Sequence, residues 1–176
     1  MTLRFLSLTA LAALAALAGG CASMAGGGPR ATATLAPTTG NSATGTVSFE
    51  QSGGKVLVHG EVRGLKPNAQ HGFHVHEKGD CSSGDGMSAG GHFNPGGQPH
   101  GSHAAAMHHA GDLPSLQADG QGVARFRFES GTIAVGSGAN DVTGKGLIVH
   151  RDPDDYTTQP TGNAGPRLAC AVIARS

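Results

Sequence analysis

Residues 92–112 read HFNPGGQPHGSHAAAMHHAGD, five histidines and one aspartate with almost nothing able to form a core. His92, His100, His109 and Asp112 are spaced too irregularly for one helix face or one strand face, so they converge only if the segment folds back around an ion. Neutral imidazoles and a carboxylate suit zinc in tetrahedral geometry. A flexible His-rich tract, or a small Asp-capped turn with incidental histidines, is the alternative. Upstream, in QHGFHVHE, His74 and His76 lie two apart and project from the same face of a strand, so a stiff backbone offers both rings to one ion.

The elements that must hold these residues are strands. Residues 31–37, 43–51 and 55–62 alternate with period two, and Ser52-Gly53-Gly54 supplies a hairpin turn between the second and third. In VLVHGEV, Val56, Val58, Gly60 and Val62 share one face, which leaves His59 as an exposed strand residue. Residues 70–77 form the next strand, with His71 on the face opposite His74 and His76 in a structural, hydrogen-bonding role. Residues 78–113 contain no regular element, and an irregular stretch of that length fits a compact domain only when it is functional or cross-linked. Strands resume at 114–118, 123–129 and 146–150, followed by an irregular stretch at 151–166 and a terminal strand at 167–174. Eight strands without a strong helix imply an all-β fold, an antiparallel sandwich or barrel with two long functional loops.

The length of 176 residues suits one domain with its own core. Tryptophan is absent, Tyr156 is the single tyrosine, and 30 glycines fit short strands joined by turns. A formal net charge of zero leaves no footprint for nucleic acid, although local charge can still steer a small anion. Residues 1–20 carry Arg4 and an apolar run over 11–18 that ends in small residues, an export signal rather than a membrane span. Cys21 follows Ala18-Gly19-Gly20 and resembles the lipidated cysteine of a bacterial lipoprotein, with Leu17 one place upstream of the usual position. Cleavage after Ala18 is the competing reading. Residues 21–30 then form a Gly-rich tether, and the protein is expected in the periplasm with a lipid on Cys21 as its only membrane contact. Cys81 and Cys170 remain as a pair in oxidising surroundings, where a disulfide is expected over two buried thiols.

The segments GFHVHEKGDC, GGHFNP, HHAGDL and TGNAGPRLAC, in this order, resemble the copper/zinc superoxide dismutases of the bacterial exported type, over about residues 31–176. The resemblance implies an eight-stranded Greek-key barrel that converts superoxide to dioxygen and hydrogen peroxide by alternate reduction and oxidation of copper. It makes His74, His76, His92 and His150 copper ligands, and His92, His100, His109 and Asp112 zinc ligands, with His92 bridging both. It also gives Arg167 the guidance of superoxide, Thr161 the opposite side of the channel, and Asp154 a hydrogen bond to a histidine of each metal. Asp155 is an adjacent candidate for that last role. Lys145 and Arg151 are candidates for added positive field, and His103 and His108 are spares expected at the surface. Pro166 departs from the small residue usual before the arginine, and Arg151 follows the copper ligand at a variable position. The oligomeric state is open, a homodimer included.

Two other classes compete. A non-enzymatic exported copper/zinc chaperone or reservoir is expected to lose a copper ligand or Arg167, and none is lost. A zinc hydrolase needs an open zinc position, whereas three histidines and Asp112 close it.

Overall fold

A computed structural model describes Met1 and residues 27–176; the export signal and Cys21 readings fall on residues outside this description. Among the described residues there are ten strands: β1 (Arg30–Pro37), β2 (Thr44–Ser52), β3 (Lys55–Arg63), β4 (Gln70–His71), β5 (Phe73–His76), β6 (Leu116–Gln117), β7 (Ala124–Ser130), β8 (Gly146–His150), β9 (Arg167–Val172) and β10 (Ala174–Arg175). Eight of them form one antiparallel sheet in the order β5-β8-β9-β1-β2-β3-β7, with β10 pairing β1 beside this path. β4 and β6 make a separate two-stranded sheet.

The alternation read from the sequence explains why the sheet curls around a core. In β3, Val56, Val58 and Val62 are fully buried while Leu57, His59 and Glu61 stay partly exposed. Val47 and Phe49 of β2 face the same interior, closed on the far side by Phe73, Val75, Leu147, Val149 and Ala169. The β2–β3 register, Ser52 opposite Lys55, leaves Gly53 and Gly54 as a two-residue turn, and Gly53 takes a φ of 55°.

Three boundaries differ from the sequence reading. The strand expected at 70–77 is broken at Gly72, so β4 pairs with β6 and β5 with β8. At the break, Gly72 donates to Asp152 O and accepts from His150 N, and a Cβ there would stand 2.8 Å from that of Ala164. The segment at 114–118 keeps only two residues as strand. The terminal strand ends at Val172, because Ile173 turns to exchange backbone bonds with Lys145 and Gly144 before β10 returns to β1. The long loop also contains a short 3-10 turn, Met87–Ala89.

The two long loops are tied to the sheet. Residues 91–93 and 111 straddle β5: Glu77 donates to Gly91 O, Phe93 to Val75 O and Val75 to Gly111 O, the last two at 2.8 and 2.9 Å. The Cys81–Cys170 disulfide joins the 3-10 loop to β9 and packs against Ala89 and Ile148. Its closure spans 89 residues, and the chain-entropy account assigns such a closure roughly 4–5 kcal/mol. A bulge between Val149 and His150 then sets Arg167 opposite His150.

Candidate metal centre

The ligand atoms of His74, His76, His92 and His150 lie within 4.8 Å of one another, and so do those of His92, His100, His109 and Asp112. Both groups are buried, and His92 belongs to both. β5 supplies His74 and His76, the end of β8 supplies His150, and the loop folded along β5 supplies the other four.

Hydrogen bonds on the far side of each ring fix which nitrogen faces the cluster. His76 Nδ1 donates to Gly90 O at 2.9 Å and His150 Nδ1 to Gly165 O at 3.0 Å. Their Nε2 atoms therefore both present lone pairs, and they face each other at 3.4 Å. His74 Nε2 is taken by Asp154 Oδ2 at 2.8 Å, which leaves His74 Nδ1 buried without a partner; His92 Nε2 is likewise buried and unpartnered. Four converging nitrogens, two of them orphaned, are what a cation would satisfy and what bare packing would disfavour. An all-nitrogen set suits copper in both oxidation states.

The second cluster is organised by Asp112. Its Oδ1 lies 2.9 Å from His92 Nδ1, 3.1 Å from His100 Nδ1 and 3.4 Å from His109 Nδ1. Its Oδ2 accepts from the backbone N–H groups of His109 and Gly101, which locks the carboxylate in place. Burial raises the Asp112 carboxyl, but the bonds from His100 and His92 outweigh it and hold the group well below the usual carboxylate range. Three nitrogens and one oxygen at this closeness fit a closed zinc site.

Asp154 joins the two clusters. Its Oδ2 accepts from His74 Nε2 and its Oδ1 from His100 Nε2, at 2.8 and 2.9 Å. Burial opposes ionisation, yet the bonds from His100 and His74 hold the carboxyl at about 2. Gly162 packs directly on this contact, and a Cβ there would stand 1.7 Å from Asp154 Oδ1. Asp155 is exposed and instead caps Thr157 and Thr158, so the adjacent candidate is excluded from the role. Burial lowers His74 to about 4 and His150 to about 3. For His100 burial acts the same way, but Asp112 and Asp154 overcome it and raise the ring to about 9.

The first cluster opens to a pocket of about 240 Å³ lined by His76, His92, His150, Thr161, Pro166 and Arg167, among others. The Arg167 guanidinium donates to Gly86 O and Gly90 O, so Gly90 O receives both the arginine and His76. Gly90 adopts φ 74° and ψ −152°, a conformation open to glycine alone. Thr161 also lines this pocket. Lys145 is occupied elsewhere, donating to Glu77 O and lying 5.0 Å over the Phe93 ring. Arg151 pairs with Asp152.

Among the other histidines, His71 is fully buried and its Nδ1 donates to His150 O, the structural role expected. His59 is half-buried rather than exposed and faces Glu50. His103 is exposed, but His108 is buried, a correction with a local cause: its Nδ1 donates to His109 O at 2.7 Å, which draws the ring inward. Gln159 escaped the sequence reading altogether. Its side-chain amide grips the His100 backbone like a neighbouring strand, accepting from His100 N at 2.8 Å and donating to His100 O at 2.9 Å. The two long loops are thereby stitched together at a cluster residue.

Residues 43–173 match the family model described as copper/zinc superoxide dismutase. A superoxide dismutase [Cu-Zn] of Paramecium bursaria Chlorella virus 1 is 42% identical over 135 residues, 73% of this chain and 71% of the relative. Superoxide dismutase [Cu-Zn] 2 of Brassica juncea is 45% identical over 136 residues, 73% of this chain and 88% of the relative. The crystal structure of the clock protein EA4 superposes with a TM-score of 0.75 at 39% identity, covering 82% of this chain and 93% of that one. The chain belongs to the copper/zinc superoxide dismutase family. It is an enzyme of that family, with copper and zinc as its metals.

Proposed function

We propose that the chain disproportionates superoxide, taking two superoxide anions and two protons to dioxygen and hydrogen peroxide, at a copper site formed by His74, His76, His92 and His150. The observation that carries this reading is the sharing of His92 between a nitrogen-only cluster that opens to a pocket and a closed cluster completed by Asp112. When bound, copper supplies the one-electron chemistry by alternating between two oxidation states, and zinc supplies fixed charge.

Arg167 attracts and orients the small anion, because its guanidinium is held by two carbonyls at the pocket wall and burial lowers its pKa without neutralising it. With both metals bound, His92 would belong to both sites, since its ligand atoms fall in both clusters. Its Nε2 would take a proton in one half of the cycle and give it to the peroxide product in the other, the second proton coming from solvent. Its Nδ1 stays in the Asp112 cluster throughout, so the ring returns to the same position. Asp154 keeps His74 and His100 in the tautomers that face their metals.

The localisation proposed is periplasmic, with residues 1–20 as signal and Cys21 as lipid attachment. The support is the apolar run and the small residues before Cys21. Fatty-acid labelling, with Cys21→Ser as control, tests this. The catalytic reading is tested by superoxide decay in a stopped-flow instrument. Copper- and zinc-loaded protein must accelerate decay far beyond buffer; a fully metallated sample no faster than buffer sinks the reading.

A further inference from the structure

Met87 and Met107 are exposed to almost the same extent, 60% and 62%. Bulk oxidant attacks thioethers of equal exposure at similar rates. Their surroundings differ. Met87 begins the 3-10 turn and lines the pocket that contains His76, His92, His150, Thr161 and Arg167. Met107 lines a separate open groove with Asn94 and Thr132. The product peroxide of the proposed reaction is released into the first pocket, whose lining includes Met87.

We propose that Met87 is a sulfoxidation site for hydrogen peroxide, selected over other exposed thioethers by its place in the lining of the copper-side pocket; this rests on the dismutase reading. In the step, a lone pair of Met87 Sδ attacks one peroxide oxygen, the S–O bond forms and the O–O bond breaks. The departing hydroxide takes the remaining proton and leaves as water. Sulfur loses two electrons and peroxide gains them. Selectivity would arise because peroxide held in this pocket by the Arg167 guanidinium, and by copper when bound, meets a sulfur in the same lining.

The consequence follows from the same wall. Met87 sits between Gly86 and Gly90, whose carbonyls hold the Arg167 guanidinium. A sulfoxide oxygen is a further acceptor for that guanidinium, in competition with the incoming anion. The modification is reversible by sulfoxide reductases, so this wall records exposure to peroxide and can be reset.

The test compares copper- and zinc-loaded protein with zinc-only protein, both treated with hydrogen peroxide, with sulfoxide at each methionine followed over time by peptide mass spectrometry. In the copper-loaded form Met87 is expected to oxidise about tenfold or more faster than Met107, the scale of a modest proximity advantage. In the zinc-only form the two are expected to oxidise at equal rates. Equal rates in the copper-loaded form overturn the proposal, and so does an equally large preference for Met87 without copper. Superoxide decay measured on the same samples reports separately on the dismutase reading.

Discussion

Replacing Asp154 by asparagine tests how far one carboxylate serves both metals. The native group accepts two hydrogen bonds, from His74 Nε2 at 2.8 Å and His100 Nε2 at 2.9 Å, and all three side chains are inaccessible to solvent. An amide offers one oxygen and one NH2, so in Asp154→Asn a donor must face one of the two N–H groups. That ring loses its partner or moves its proton to Nδ1, the nitrogen that faces the metal cluster in both histidines. Loss of such an outer partner weakens metal binding about 10–100-fold, roughly 1.4–2.8 kcal/mol. At least one metal should therefore weaken by about tenfold in Asp154→Asn, and both should weaken in Asp154→Ala, which leaves both rings unheld. Competition against a chromophoric zinc chelator and a copper chelator measures this, with circular dichroism to verify the fold. Unchanged affinity for both metals in both variants would show that neither histidine depends on Asp154 to hold its metal.

Arg167→Ala should slow superoxide turnover and flatten its dependence on ionic strength while copper and zinc remain bound; loss of copper would show that the arginine is structural. Gln159→Leu removes two half-buried hydrogen bonds to His100, together roughly 1–3 kcal/mol, so zinc release to a chelator should accelerate about tenfold with the copper spectrum unchanged. An unaltered release rate would show that the two loops are held without this contact. The metal-free protein should be most stable near pH 6.5. Below that, the unfolded chain binds protons at His74 and His150 that the folded chain refuses until about 4 and 3, so stability falls with pH through this window. Above it, the proton on His100 is lost as pH rises through about 9, and its contribution goes with it. Urea midpoints at pH 5, 6.5 and 8.5 check the sign, and a midpoint highest at pH 5 would contradict it.

The strands were legible because burial on one face imposes period two, as in Val56, Val58 and Val62, and the clusters because histidine and aspartate report chemistry through type rather than periodicity. What escaped depends on approach between distant segments. The break at Gly72 is enforced by Asp152, His150 and Ala164, more than 70 residues away in sequence. Gln159 reads as an ordinary polar loop residue until the second loop lies beside His100. Nothing in the sequence marks His108 for burial, and its inward turn comes from one backbone carbonyl. Lys145 and Arg151 showed charge but not direction, and both point to partners outside the pocket lining.

His92 is proposed to serve both metals at once, Nε2 toward one cluster and Nδ1 toward the other. Placing cobalt(II) in the Asp112 cluster and copper(II) in the histidine cluster tests it by electron paramagnetic resonance. A shared imidazolate couples the two spins and suppresses the copper signal, and His92→Ala restores it in whatever copper still binds. A copper signal of full intensity in the doubly loaded native protein would show that the two sites share no ligand.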